Sequence, residues 1–357
     1  MVVSLKRWIA SRKGFELQFN WIFVLIAGAV FMGFFFLVIR NQLNSAEMDD
    51  SSSAQSDLGF ILRTSQGSRS SEKVVPLAGD FSFECVDGVS SFISSGSQVS
   101  EQYNYLSVFS PERLDAREVI IRTDTFRAPF SIMPFSYLSN RETEYVFVND
   151  DLQSRQLFFG LPENASRKFL TGVLSNLADS NYDSTLIIAN ASSEGSVIAQ
   201  TMSFFKPTRQ SAISLVIIDP EGGIPGLYGK VRFYSYSSSG FALEGEAFYF
   251  TQEQLLGAVY SGSRDIYQCQ FDKSFKRLNL MADFHMRRAL YLKGQFSAYA
   301  DCSILYSDIM GDLDDIKTST SSSTMTYVQA QAVFEASSRI AASNAKLEDV
   351  TSCSPIY

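Results

Sequence analysis

The chain has 357 residues, of which 45% are hydrophobic, so length and composition predict one or two folded domains rather than a disordered chain. The formal net charge is −8, and the part after residue 20 holds 26 basic against 37 acidic residues, a balance of −11. A surface of that sign repels phosphate backbones, so we expect no nucleic-acid partner.

The first predicted element is a membrane-spanning helix at residues 21–39, a run of nineteen residues without a charge. At about 1.5 Å per residue this run spans roughly 28 Å, close to the hydrocarbon core of a bilayer. No small-x-small cleavage site follows it, which favours an uncleaved signal anchor over a signal peptide. Four basic residues precede the run, so the positive-inside rule predicts that residues 1–20 lie in the cytoplasm and the main domain lies outside the cytoplasmic membrane.

Residues 15–28, FELQFNWIFVLIAG, carry a resemblance to a known group of proteins. They are similar to the N-terminus of a group of archaeal single-pass membrane proteins of unassigned function. Residues 128–130 together with 135–138, and the terminal residues 353–357, fit the same group. This resemblance implies an anchored outer domain and no particular chemistry.

The segment before the apolar run also resembles a type IV pilin signal, through residues 13–17, KGFEL. That resemblance implies processing after Gly14 and assembly of the mature chain into a filament. The pilin family has a glutamate at the fifth mature position, where this chain has Phe19.

A polar, serine-rich stretch at residues 40–73 predicts a flexible tether with a turn of helix at 58–62. From residue 74 to 149 the pattern changes to apolar and polar residues in alternation, which is typical of strands. We therefore predict a β-rich layer here, with strands at 81–85, 103–108 and 118–125.

Residues 150–265 alternate between short apolar runs and amphipathic segments, which predicts an α/β part with a parallel sheet that also includes the run at 145–148. In such a sheet small molecules bind at the carboxyl ends of the strands, here near Asn149, Asn190 and Asp219. The predicted strands are 145–148, 185–189 and 213–218, the predicted helices are 163–177 and 197–205, and a closing antiparallel pair is predicted at 230–236 and 242–250.

Residues 266–357 are predicted to be helical. Apolar positions from Phe271 to Tyr299 step alternately by four and three residues, which indicates one long helix with an apolar seam. Val333, Ile340 and Leu347 repeat by seven on a second helix. We expect an antiparallel helical pair that packs on the sheet or on a partner.

The four cysteines all fall in the predicted outer part, which favours two disulfides. Cys269 and Cys302 flank the predicted long helix and are too far apart to pair. Of the two remaining pairings, an antiparallel return of the second helix favours Cys269–Cys353 and therefore Cys85–Cys302.

No motif predicts a reaction. His285, the single histidine, lies on the apolar seam, and no GxSxG is present. Residues 221–231 lack the second glycine and the Ser/Thr of a phosphate loop, and the aspartates at 301–315 lack EF-hand spacing. We therefore expect no catalytic residue, metal or cofactor, and favour a non-enzymatic role. Asn164 and Asn190 each begin an N-glycosylation sequon.

The sequence as a whole predicts a mixed α/β extracytoplasmic domain with a β-rich N-terminal layer and a helical C-terminal section, preceded by one transmembrane helix. The favoured function is a cell-envelope protein of structural or interaction type, which binds a protein partner or itself through the apolar seam of the C-terminal helices. Two alternatives stay open: a pilin-like filament subunit processed after Gly14, and an extracytoplasmic enzyme or small-molecule-binding domain.

Overall fold

The structure of the protein is a computed structural model. The chain forms two compact units, Met1–Ser52 and Ser53–Tyr357. The residues that the structure describes are 13–65, 71–76, 80–94, 100–103, 106–115, 118–170, 182, 184–204, 213–221, 228–237, 239–322, 325–350 and 352–357.

The first helix, α1 (Lys13–Ser65), includes the predicted membrane segment. Its stretch Ile22–Arg40 is long and apolar enough to cross a membrane, and the large apolar side chains of that stretch are exposed. Helix also extends through residues 40–65, for which the sequence predicts a tether. Leu58 and Leu62, four residues apart on one helix face, are fully buried against the β-rich layer, and this burial stabilises the helical form.

The alternating pattern predicts a β-rich layer, and the structure has two four-stranded sheets here. One has the order β4-β3-β2-β6 and the other β1-β7-β8-β5. The single strand predicted at 103–108 is wrong, because one strand ends at Tyr103 and the next begins at Ser107 in the other sheet. In β7, Val119 and Ile121 face the core between these two sheets, whereas Ile120 faces the main core of the domain. The strands are β1 (Ser71–Pro76), β2 (Asp80–Val86), β3 (Val89–Ser94), β4 (Ser100–Tyr103), β5 (Ser107–Phe109), β6 (Arg113–Asp115), β7 (Glu118–Arg127) and β8 (Ser131–Asn140).

A six-stranded mixed sheet follows, with the order β10-β9-β11-β12-β13-β14. The first four strands are parallel and the last two are antiparallel, which confirms the predicted parallel sheet and its closing pair. The elements are β9 (Thr143–Phe147), α2 (Leu152–Gly160), β10 (Ser166–Phe169), β11 (Ser184–Asn190), α3 (Glu194–Phe204), β12 (Ile213–Pro220), β13 (Gly229–Ser237) and β14 (Gly240–Tyr249).

The prediction of a helix at 163–177 is wrong, because strand β10 lies within this range. Residues 171–177 lie outside the described residues. Phe169 was counted as part of a helical face, but it belongs to an edge strand that pairs with β9. Its ring stacks on Phe158 of α2, with 4.5 Å between the ring centroids. The packing of these two rings, rather than a helical period, accounts for the apolar residue at this position.

Four helices complete the domain: α4 (Gln252–Ser261), α5 (Arg264–Gln295), α6 (Ala300–Ser319) and α7 (Tyr327–Asp349). α5, α6 and α7 pack in succession, so the predicted helical pair is in fact a set of three. The missed helix, α6, contains the aspartates at 301–315. Its buried residues Tyr306, Ile309, Leu313 and Ile316 nevertheless follow a helical three–four spacing.

The apolar seam of α5 lies inside the domain. Phe271, Leu278, Ala282 and Ala289 are buried in the main core with residues of α6 and α7. The regular spacing continues to Tyr299 in the sequence, but α5 ends at Gln295 and Tyr299 is 52% exposed. The seam is therefore an internal packing surface, and the expectation that it binds a partner is wrong.

The two disulfides join Cys85 to Cys269 and Cys302 to Cys353. The favoured pairing, Cys269–Cys353 with Cys85–Cys302, is therefore wrong. The physical reason is the third helix: after α5, α6 and α7 the chain end returns to the start of α6, where Cys302 lies, and not to the start of α5. Cys269, near the start of α5, instead meets Cys85 on β2 of the β-rich layer.

Candidate functional site

A cavity of about 580 Å³ lies at the amino-terminal ends of the parallel strands. Thr143 begins β9, Ser184 begins β11 and Ile213 begins β12, and all three residues line the cavity. This is the end of the sheet opposite to the one that the sequence analysis indicated. A volume of this size is typical of small-molecule sites, which occupy roughly 300–1,000 Å³.

The junction between α4 and α5 forms one wall of the cavity. Gly262 caps α4 with a φ of +60°, a left-handed conformation that favours glycine, and a Cβ here would lie 3.0 Å from Cδ1 of Leu186. The tight turn lets α5 begin at once, with Ser263 at its N-cap. As a result Ser261 and Ser263, on either side of the glycine, both line the cavity.

Two buried hydroxyls in this wall have no hydrogen-bond partner among the described residues, those of Tyr260 and Ser261. The Tyr260 ring packs against Tyr137 and Tyr145, with centroid distances of 5.0 and 6.0 Å. The Tyr145 hydroxyl donates to Oγ of Ser139 at 2.8 Å, so it is already engaged. Burial raises the pKa of both Tyr260 and Tyr145 well above the ordinary value, so both phenols stay neutral at physiological pH.

The charged residues that line the cavity are mostly acidic. They comprise Glu112, Glu142 and Glu244 with one basic residue, Arg113, a balance of −2. One Glu244 carboxylate oxygen accepts a hydrogen bond from the main-chain N–H of Arg264 at 3.2 Å, at the start of α5. Within the described parts of the chain, no group of three His, Cys, Asp or Glu side chains is placed to hold a metal. The arrangement can offer hydrogen bonds and negative charge to a ligand.

The carboxyl ends of the strands, where a ligand site was predicted, carry side chains that bind one another. The Asn190 amide donates to the Asp151 carboxylate, and the Asn149 amide donates to Oγ of Ser193 at 2.8 Å. A carboxylate oxygen of Asp219 lies 3.4 Å from a guanidinium nitrogen of Arg232. The side-chain amides of Asn149 and Asn190 are thus each bound to a different neighbouring side chain.

Arg232 joins a second element to this end of the sheet. One guanidinium nitrogen lies 2.6 Å from the Glu194 carboxylate at the start of α3, and Glu194 also accepts a hydrogen bond from Tyr234. The ion pair is mostly shielded from solvent, so it fixes α3 against β13. The polar residues at the carboxyl ends of the strands are therefore engaged in hydrogen bonds and ion pairs within the domain.

Ser90 and Lys273 form the other arrangement with potential chemistry. Nζ of Lys273 donates to Oγ of Ser90 at 2.8 Å and to the carbonyl of Leu106 at 2.7 Å. Burial lowers the pKa of Lys273 to about 8, as in a serine nucleophile activated by a lysine base. However, Ser90 is fully buried and its Oγ also accepts from the Gln270 amide at 2.7 Å. Ser90 does not line the cavity, and its oxygen is held by two side chains of α5, so the pair fixes α5 to the β-rich layer.

His285 is a buried core residue, and the sequence analysis had placed it on the apolar seam. Its ring contacts the rings of Phe130 and Tyr357, with centroid distances of 4.1 and 6.0 Å. Burial lowers its pKa to about 4, and the positive charge of Arg288 acts in the same direction. The rings of Phe130 and Tyr357 also contact each other, with 5.9 Å between their centroids.

The two sequon asparagines differ in environment. Asn164 lies in an exposed turn after α2, where its amide approaches Glu72 at 3.3 Å. Asn190 ends β11, its amide nitrogen is bonded to Asp151, and its amide oxygen is buried. Only the first is exposed, since Asn190 is half-buried.

The cavity was not predicted, because its residues come from strand starts, turns and a helix junction that share no periodic pattern. The one local signal is Ser261-Gly262-Ser263, a helix end followed directly by a helix start. No protein-family model, curated protein or solved structure matches the chain.

Proposed function

We propose that this protein is a membrane-anchored, extracytoplasmic cell-envelope protein that binds a protein partner through its C-terminal helical section. The apolar stretch Ile22–Arg40 near the N-terminus supports the anchor. The two disulfides support an oxidising location outside the cytoplasm, because thiols in the cytosol are usually kept reduced. The basic residues before the apolar stretch support an N-terminus on the inside. The resemblance to archaeal single-pass proteins fits this arrangement.

The observation that carries the proposed interaction is an exposed apolar face on α5. Leu280, Phe284 and Tyr291 follow one another at intervals of four and seven residues, so they lie on one side of the helix. They are 61%, 58% and 66% exposed, and Leu290 beside them is 59% exposed. This α5 face, the side chains of Leu280, Phe284, Leu290 and Tyr291, lies opposite the buried seam. Clusters of exposed large apolar residues mark interaction sites more often than isolated ones do.

The charges around the α5 face indicate the chemistry of the partner. Lys276, Arg277, Arg287 and Arg288 are all exposed on the same helix, although the whole chain has a net charge of −8. A basic rim around aromatic and aliphatic side chains is complementary to an acidic surface with apolar residues at its centre. We therefore propose an acidic protein surface as the partner of the α5 face.

Site-specific photocrosslinking in cells tests this proposal. A benzophenone amino acid is placed at Phe284 in the full-length protein, and at Phe159 of α2 as a matched control, since that aromatic side chain is 72% exposed. We expect the Phe284 probe alone to yield a defined crosslink to an acidic protein. The double variant Arg277→Glu, Arg287→Glu should reduce the yield at least severalfold. A crosslink to a second copy of this chain would instead support self-association, and equal labelling from both positions would overturn the proposal.

The intact mass of the purified native protein tests the anchor and the disulfides. A full-length chain that is lighter by four hydrogen atoms before reduction supports an uncleaved anchor and two disulfides. A chain that begins at Phe15 would overturn the anchor and favour the pilin-like alternative. A mass unchanged by reduction would contradict the proposed location outside the cytoplasm.

A further inference from the structure

We propose that the cavity at the amino ends of β9, β11 and β12 binds a neutral saccharide of one or two rings. This site shares no residue with the α5 face, so it is a second binding surface of the same domain. It also differs from the location at the carboxyl ends of the strands where the fold class usually places ligands. Four properties of the cavity carry the proposal: its size, two buried hydroxyls without partners, its hydroxyl-rich lining and its acidic balance.

The two unpartnered hydroxyls point to a ligand. Tyr260 is 1% and Ser261 is 2% exposed, and each hydroxyl oxygen is buried without a hydrogen-bond partner among the described residues. Buried polar groups in folded proteins are nearly always hydrogen-bonded, so an exception calls for an explanation. Both residues line the cavity, where a bound polar molecule would supply the missing bonds.

The chemistry of the lining matches a ligand with many hydroxyl groups. Thr143, Ser184, Ser214, Ser235 and Ser263 add further hydroxyls to those of Tyr260 and Ser261. A hydroxyl donates one hydrogen bond and accepts up to two, as the hydroxyls of a sugar also do. A wall of such groups can hydrogen-bond a polyol in several bound positions, whereas a site for an apolar ligand would need few hydroxyls.

The sign of the charge excludes anions as preferred ligands. Three glutamates against one arginine give the lining its balance of −2. Ionised carboxylates only accept hydrogen bonds, so Glu112 and Glu142 can accept from sugar hydroxyls, while they would repel a phosphate or a carboxylate. A neutral saccharide is thus favoured over an acidic one of the same ring size.

Tyrosine rings provide the apolar contact that a sugar ring also needs. Tyr182 and Tyr236 both line the cavity, and Tyr236 is held by an edge-to-face contact with Phe241 at 5.1 Å between centroids. An aromatic ring with a polar tip offers both a face for C–H groups and a hydrogen-bonding edge. The cavity therefore combines the two kinds of contact that a saccharide presents.

Isothermal titration of the full-length protein tests the proposal, in a detergent without a sugar headgroup because a glycosidic detergent would compete. The panel consists of glucose, galactose, mannose, maltose and cellobiose, with glucuronate as the acidic counterpart of glucose and spermidine as a cation. We expect at least one neutral sugar to bind with a dissociation constant below about 1 mM, a free energy of about −4 kcal/mol. We expect glucuronate to bind at least tenfold more weakly than that sugar.

Tyr260→Phe separates binding from folding. It removes one unpartnered hydroxyl and keeps the ring, so we expect sugar binding to weaken by roughly two- to tenfold without a loss of thermal stability. Tyr267→Phe is the matched control, since its hydroxyl donates to the carbonyl of Phe248 at 2.7 Å and it does not line the cavity. That variant should lower the melting temperature and leave sugar binding unchanged.

Three results would overturn the proposal. The first is that no neutral sugar of the panel binds with a dissociation constant below about 1 mM. The second is that spermidine or glucuronate binds and the neutral sugars do not, which would assign the cavity to another class of ligand. The third is that Tyr260→Phe and Tyr267→Phe affect sugar binding equally. None of these results depends on the crosslinking at Phe284, so the saccharide site and the protein–protein interaction are tested independently.

Discussion

The imidazole of His285 lies over the ring of Phe130, with 4.1 Å between the ring centroids and an interplanar angle of 33°. Phe130 lies in the turn between β7 and β8, and His285 lies in the middle of α5. The contact therefore joins the β-rich layer to the helical section, and Tyr357 covers it from the end of the chain. A histidine in this position stays neutral in the folded protein.

The first prediction concerns acid stability. Because the pKa of His285 is about 4 when folded and about 6.5 in an unfolded chain, its contribution to stability is complete above pH 6.5. That contribution is lost as the pH falls from 6.5 to 4, by up to roughly 3 kcal/mol. We expect denaturant unfolding at several pH values to show this loss of unfolding free energy. The His285→Phe variant should lack the loss, because phenylalanine keeps the ring contact but carries no titratable group. The wild type and the variant following the same pH dependence would contradict the assignment.

The second prediction concerns Lys273, which is 8% exposed and has a pKa of about 8. An unfolded lysine has a pKa of about 10.4, so the unfolded chain binds more protons between pH 8 and 10.4 and stability rises with pH in this window. We expect the wild type to gain up to roughly 3 kcal/mol across it relative to Lys273→Met. Equilibrium unfolding of both proteins at several pH values measures the difference, and a constant difference would show that Lys273 stays charged.

The third prediction compares the two disulfides. Cys85 and Cys269 are 184 positions apart and Cys302 and Cys353 are 51 apart. Loop closure makes the longer bridge more stabilising, by about 1 kcal/mol. We expect the Cys85→Ala, Cys269→Ala variant to lose more unfolding free energy than the Cys302→Ala, Cys353→Ala variant. A non-reducing peptide map should contain the two native pairs, and a peptide that links Cys269 to Cys353 would show the pairing to be wrong.

The fourth prediction concerns glycosylation. Asn164 is exposed and its amide contacts only the exposed carboxylate of Glu72, whereas Asn190 is half-buried and its amide nitrogen is bonded to Asp151. We expect a glycan, where the host attaches one, at Asn164 and not at Asn190. Ser166→Ala and Ser192→Ala remove the respective sequons and leave both asparagines in place. Intact mass should fall with the first variant only, and a fall with the second would mean that the Asn190–Asp151 contact opens.

The sequence predicted the sheets well, because each side of a strand faces one environment. In β2, Phe81 and Phe83 are buried in the core while Glu84 is exposed, so a period of two is visible in the sequence itself. The central strands β11 and β12 are buried on both faces and carry apolar runs at 186–189 and 215–218, which is the usual pattern of a parallel sheet.

The helical section was harder to predict because charge obscured one helix. The aspartates at 301–315 were assessed only for metal-binding spacing, although Ile309, Leu313 and Ile316 in the same segment keep a helical spacing. Counting two helices in place of three reversed the direction of the chain end, and the wrong disulfide pairing followed from that. The cavity was beyond sequence reasoning, since no local pattern shows that the first residues of separate strands face the same space.

The covalent pattern also limits how far the domain can be stretched. Tension applied between the N-terminal helix and the chain end would first load Leu58 and Leu62, which anchor the end of α1 in the β-rich layer. While both bridges hold, residues 85–269 and 302–353 are closed loops that cannot extend. Beyond Ser53 only three short stretches, 53–85, 269–302 and 353–357, could lengthen under load. A pulled molecule would therefore yield a short extension in an oxidising medium and a much longer one after reduction.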